Sequence, residues 1–235
     1  MRRVQYKEVL RGAAETSGRI FSVLSTDDAE LLRGFIGRRL REAWESNFWP
    51  ELMVVEERTI SSKTIPYEET GKSDLGEVQR ITDADPRTTY SLTDYEFNLT
   101  ASGFNIPGYT SDATSLWVTY RKQAPELTGS NWAEGSYISG AQVYHTTQGD
   151  FYDQDGAVNT SMEPPDSPWV RVDFPYIFKS FCERAAASDL LLLDEKSDLA
   201  IAQKQQADDA LSVEMAKLRL QGHHNNIKIK THRGA

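Results

Sequence analysis

Between Pro175 and Gly222 the chain offers an almost unbroken helical pattern, and everything else must either pack on that stretch or be carried by it. In its first half Phe178, Phe181, Cys182, Ala185, Leu192 and Leu193 recur at helical spacing and predict one apolar face. Asp194 to Ser197 interrupts the pattern, and Ser197 with Asp198 is suited to capping a second helix. There Ala200, Ile201, Ala207, Leu211, Met215 and Leu218 return at steps of three and four. The expectation is a hairpin of two antiparallel helices over 176–221. Such a pair buries only part of its apolar surface and needs further helices to cover it.

The N-terminal sequence supplies them. Val4, Tyr6, Val9, Leu10 and Ala13 predict a short helix ending near Gly18. Capping residues and acids from Ser25 to Glu30 then precede Leu31, Leu32, Phe35, Ile36, Leu40, Ala43 and Trp44, which predict a helix over 26–46. Arg33, Arg38, Arg39 and Arg41 fall on its polar side or toward its C-terminal end, where cations suit the helix dipole, as a solvated face or a subunit or partner contact. Trp49-Pro50 closes this segment, because proline disfavours helix in the residue before it.

After Leu52 the period changes to alternation. Short strands are predicted at 54–60, 76–82, 95–100, 115–121, 142–145, 149–152 and 169–174, with turn clusters such as Asp83 to Pro86 and Glu163 to Pro168 between them. The expected class is therefore α+β: a helical bundle from 1–51 and 175–222, a large inserted antiparallel β domain over 52–174, and an extended C-terminal arm over 223–235. The arm contains no acid, and Ile227 and Ile229 alternate with Lys228 and Lys230. That pattern suits an extended segment ordered by a partner.

With 235 residues, 39% of them hydrophobic, the chain can bury a substantial core. Its net charge of -9 argues against a general nucleic-acid binder, which needs a basic footprint. One cysteine, Cys182, allows no internal disulfide, and its place on the apolar face predicts a small buried hydrophobe. There is no apolar run of signal-peptide or membrane-spanning type, so a cytosol-like setting is expected.

No catalytic, cofactor or metal site is expected. The sequence has no glycine-rich phosphate loop, no metalloprotease histidine pair and no nucleophile elbow. His223 and His224 lack carboxylate or thiol companions, and His145 at a strand end predicts a surface or cross-strand role. Asp150, Asp153 and Asp155 fit an acidic hairpin rather than a calcium loop, although Asp150 with a distant carboxylate would be the pair a glycosidase needs. Trp132, Tyr137, Tyr144, Phe151, Tyr152 and Trp169 are concentrated in one segment. The stretch from Trp132 to Tyr144, followed by Gly149 to Tyr152 and Trp169, resembles the short β modules of chitin-binding proteins. Core packing of a half-buried sheet is the competing account of these aromatics.

A wider resemblance covers most of the chain. Ala43-Trp44 through Trp49-Pro50 to Met53, with Glu56 and Arg58, is followed by Gly76 to Val78, Asp85-Pro86-Arg87, Leu116 to Arg121 and Pro125. Phe174-Pro175-Tyr176 then leads through Leu193 and Leu220-Gln221 to the arm. In this order the segments resemble the head-to-tail adaptor proteins of tailed bacteriophages. The resemblance implies a non-enzymatic virion protein of the neck, assembled in the host cytoplasm as a ring, typically twelvefold, under the portal. It implies contacts with the portal protein and with a tail or second neck protein, and genomic DNA passing through the channel without sequence-specific binding. It assigns portal binding to Ile227, Lys228, Ile229, Lys230, Thr231, His232 and Arg233. The alternative expectation is a carbohydrate-binding β module on a helical assembly stalk.

Overall fold

The structure, a computed structural model, describes residues 2–69, 75–156 and 161–225, with the side chains of the last helix as far as Leu218. In chain order its elements are β1 (Arg3–Val4), α1 (Tyr6–Thr16), α2 (Thr26–Glu45), β2 (Met53–Thr59), β3 (Thr64–Pro66), β4 (Glu77–Thr82), β5 (Asn98–Thr100), β6 (Gly103–Asn105) and β7 (Ser115–Arg121). There follow β8 (Ser130–Asn131), β9 (Gln142–His145), β10 (Asp150–Gln154), β11 (Trp169–Arg171), β12 (Phe174–Pro175), α3 (Lys179–Leu193) and α4 (Ser197–Asn225). The class is α+β.

The chain divides into two compact units, Met1–Asn47 with Pro125–Ala235, and Phe48–Ala124. This corrects the expected insertion of 52–174: the inserted unit closes at Ala124, and β8 to β11 belong with the helices. Alternation reveals that a segment is a strand but not which core it faces. Here Tyr6 of α1 meets Phe151 of β10 and Tyr144 of β9 edge-on, with ring centroids 4.9 and 6.1 Å apart, so sheet and helix share one core.

In the first unit α3 is the central helix, packed on α1, α2 and α4. Phe181, Cys182, Ala185, Ala186, Ala187, Leu190 and Leu191 are buried along it. Its alanines allow close approach of neighbouring backbones, while Phe178 and Trp44 fill the space beside them at 6.1 Å between rings. At the start of α2 the Ser25 hydroxyl accepts the Asp28 N–H at 3.1 Å, as its capping sequence requires, a contact that stabilises the helix by about 1 kcal/mol. Arg39 of α2 clasps Asp189 of α3 through two nitrogens at 2.9 and 2.5 Å, and this hydrogen bonding to Asp189 holds the guanidinium firmly protonated.

The unit's sheet runs in the order β11-β10-β9-β8, antiparallel except for the parallel pair β8 and β9. A two-stranded pairing of β1 with β12 ties the N-terminus to the entry of α3.

The inserted unit holds two antiparallel sheets, β2-β7-β4 and β3-β6-β5. The alternation of β7 turns Leu116, Val118 and Tyr120 into a core with Ile65, Ile81, Phe104 and Ile106. Arg58 is fully buried here, held by Glu56 at 2.7 Å and by the Tyr120 hydroxyl at 3.3 Å. Gly103, with φ of +146°, lets the β5–β6 hairpin approach the Ile65 carbonyl to a distance at which any Cβ would clash.

Candidate functional site

The α3–α4 hairpin presents the largest departures from a closed bundle. At the end of α3 the N–H groups of Asp194, Glu195 and Lys196 return to the carbonyls of Leu190, Leu192 and Leu191. Glu195 adopts φ of +59°, the left-handed position that glycine usually fills in such helix ends. Arg19 secures the turn by donating to Asp194 at 2.9 Å and also to Asp28 at the start of α2. Around this clamp Ile20, Val23, Leu192 and Leu193 are all more than half exposed. The expectation that Leu192 and Leu193 lie on the core face is thus corrected: Leu190 and Leu191 take those places, and the helix ends before its next turn can bury another pair.

Helix α4 packs mainly on α3. Among its described side chains only Ala200 and Ala207 are buried, while Ile201, expected on the core face, is 64% exposed. The first turns of α3 meet α4 across a groove of about 430 Å³ lined by Ile177, Lys179, Glu183, Ala210, Val213 and Glu214. From Met215 to Asn225 the helix continues past that level for about 16 Å at 1.5 Å per residue. His223 and His224 lie on this last stretch of backbone. The expected portal-binding residues Ile227, Lys228, Ile229, Lys230, Thr231, His232 and Arg233 lie outside the described residues.

Glu183 is the most perturbed acid of the unit. It lies over Gly12 of α1, where an added Cβ would come within 2.3 Å of its carboxylate, and Lys179 stands 4.0 Å away. Burial pushes its carboxyl up to about 7; Lys179 and Arg184 oppose the shift, and Glu8 and Glu15 reinforce it. Cys182, one residue earlier, is buried, and burial raises its thiol well above the ordinary range.

The acidic hairpin is structural in an unforeseen way. Asp150 accepts the Tyr6 N–H at 2.7 Å, so β10 caps the first turn of α1 from 144 residues away. Gly149, with φ of +74°, lies so close to Lys7 that a side chain there would collide with it. Burial raises the Asp150 carboxyl, against the pull of the Tyr6 N–H and Arg171. Asp153 is raised by burial as well, and Gln142 donates to it at 2.8 Å. The cap position of α1 itself, Gln5, makes no side-chain bond to the helix, and nothing local in the sequence marks Asp150 as the substitute.

Of the surface or cross-strand role expected for His145, the structure shows the second: the residue is buried and lies opposite Asp150 in the β9–β10 pair. Its Nδ1 accepts the Gln148 N–H at 3.2 Å, which leaves Nε2 to donate to Glu163 at 2.9 Å. Of the aromatics, Tyr144, Tyr152 and Trp169 are buried and Trp132 is half-buried. Trp169 donates its Nε1 to the Met162 carbonyl at 2.6 Å and stands edge-on to Tyr137. These rings pack against each other and do not line up as a flat exposed platform of the kind that grips sugar rings.

Among the described residues no cluster of three or more His, Cys, Asp or Glu is placed to hold a metal ion, and no helix is long and apolar enough to cross a membrane. No protein-family model matches the chain, and no curated protein matches it.

Proposed function

We propose that this chain is a structural adaptor of a tailed-phage neck, assembled in the host cytoplasm as a ring that joins the portal to the tail. The single observation that carries the reading is the one-sided helix α4, supported by α3 along part of its length, exposed on its far side, and continued beyond α3 toward a cationic arm. A helix with so little burial of its own gains stability from contacts with neighbouring subunits. The segment order that resembles the adaptor family adds to this, and so does the net charge of -9, which would repel DNA passing through a channel.

In this reading the bundle contacts identical neighbours, and Ile227 to Arg233 reach the portal protein, where the lysines and Arg233 meet acidic groups. A tail protein or second neck protein closes the lower side. The test is to mix the purified full chain with purified portal rings and follow co-sedimentation and negative-stain images. A ring of this chain seated on the portal is the expected result. Failure to bind any portal ring, together with turnover of a substrate by the free chain, would overturn the reading.

A further inference from the structure

The outer faces of α2 and α4 carry matching patterns. On α2, Glu30, Gly34 and Arg38 are exposed and spaced four residues apart, so they form one ridge. Around Gly34 lies a shallow depression of about 550 Å³, lined also by Asp27, Leu31 and Phe35. A Cβ built on Gly34 meets no atom within 4 Å, so the depression is open at its floor. On α4, Asp209, Val213 and Lys217 are likewise exposed and four apart. Val213, 53% exposed, stands between an acid and a base as Gly34 does. Among the described residues neither Arg38 nor Asp209 has an ion-pair partner. Glu30 and Lys217 pair only within their own helices, with Arg33 at 3.3 Å and Glu214 at 2.6 Å.

We infer that a second copy of this chain docks its α4 antiparallel along α2, seating Val213 in the depression at Gly34, Asp209 against Arg38 and Lys217 against Glu30. The charges select the direction. An antiparallel alignment brings acid to base at both ends, whereas a parallel one with Val213 in the same place sets Asp209 against Glu30 and Lys217 against Arg38. Ridges with a four-residue step on both helices are also the commonest geometry of helix packing. Exposed rim pairs such as these choose partner and register more than they add affinity, and Val213 with Leu31 supplies the apolar contact. The two faces belong to different helices, so the contact is head-to-tail, and repetition yields a ring if the rotation closes. This rests on the proposed ring and names the surfaces that would build it.

The test uses charge reversal in the full chain, read by light scattering during size-exclusion chromatography across a concentration series. Arg38→Asp alone and Asp209→Arg alone should each weaken self-association by about tenfold or more, since each sets like charges together. Mixing the two variants should restore it, because the arginine introduced into α4 of one then meets the aspartate introduced into α2 of the other, while the second interface keeps its natural pair. Circular dichroism melts confirm that both variants fold. Wild-type assembly that neither variant weakens would overturn this interface and leave the ring reading standing. A wild-type chain that stays monomeric alone and on portal rings would overturn both. Closed dimers that persist in each single variant would show an isologous contact elsewhere and also overturn the inference.

Discussion

Helices α3 and α4 are halves of one hairpin and draw on similar residues, alanine and leucine above all, yet one is buried along most of its length and the other is mostly exposed. The difference lies in neighbours, not composition. Three helices surround α3, so even Ser188 is buried, its hydroxyl donating to the Ala200 carbonyl at 2.8 Å. Helix α4 has α3 on one side and reaches α2 through Lys204, 3.6 Å from Glu42, and most of its remaining surface falls to solvent or to another molecule. Helix-spaced apolar residues therefore establish that a face exists, but not that the same chain covers it.

The comparison breaks most visibly at Phe181. Phe181→Ala should cost about 3–5 kcal/mol by urea denaturation, whereas Leu199→Ala on α4, 59% exposed, should change stability by less than about 0.5 kcal/mol. Similar losses at both positions would mean that α4 is covered within the monomer. The next effect is pH-dependent. The Glu183 carboxyl is raised in the folded state to about 7 from 4.5, so folding favours its protonated form. Its contribution is fully present below about pH 4.5 and is lost as pH rises to about 7, a cost of about 2 kcal/mol once the roughly 3 kcal/mol of the full shift is discounted for solvent screening of the partly exposed carboxylate. Glu183→Gln should remove that part of the pH dependence, giving a more stable protein than wild type at pH 8 and little difference at pH 4.5. A melting-temperature series over pH checks it.

Ser188→Ala sharpens the comparison on a smaller scale. It removes the hydroxyl that reaches the Ala200 carbonyl and should cost about 1 kcal/mol in the same denaturation experiment. The smallest effect is expected for truncation after Asn225, the end of α4. The shortened chain should melt within about 2 °C of the full one, because a short terminal segment contributes little to a monomer's core. A larger drop would place the arm on its own bundle.

Much of the helical frame is legible in the sequence. Ser25, followed by Asp27 and Asp28, marks the start of α2, and the alternation from Ser115 to Arg121 is β7 residue for residue. What is not legible depends on contacts far apart in the chain. The strands after Pro125 carry the same alternation as the inserted ones, and long-range contacts such as Tyr6 against Phe151 and Tyr144 assign them to the helical core. Asp150 belongs to an unremarkable acidic turn until the backbone of α1 is beside it. Strands as short as β1 and β8 give too few residues for any period to register. The α2 and α4 faces are partly visible: Arg38 reads from the sequence as a solvated or subunit-facing charge, but the shared four-residue order of acid, small or apolar residue and base emerges only once the exposed sides of both helices are known.

The capping of α1 by Asp150 also sets a timetable for synthesis. The helix leaves the ribosome 144 residues before the carboxylate that completes its first turn, with the entire Phe48–Ala124 unit translated in between. At about 5–20 residues per second that is a wait of roughly 7–30 s. The inserted unit has its own hydrophobic cluster and can fold during the interval, while α1 and α2 remain without their central helix. The intervening unit thus has the time to mature first, whereas the bundle that flanks it in sequence can close only once α3 has been made.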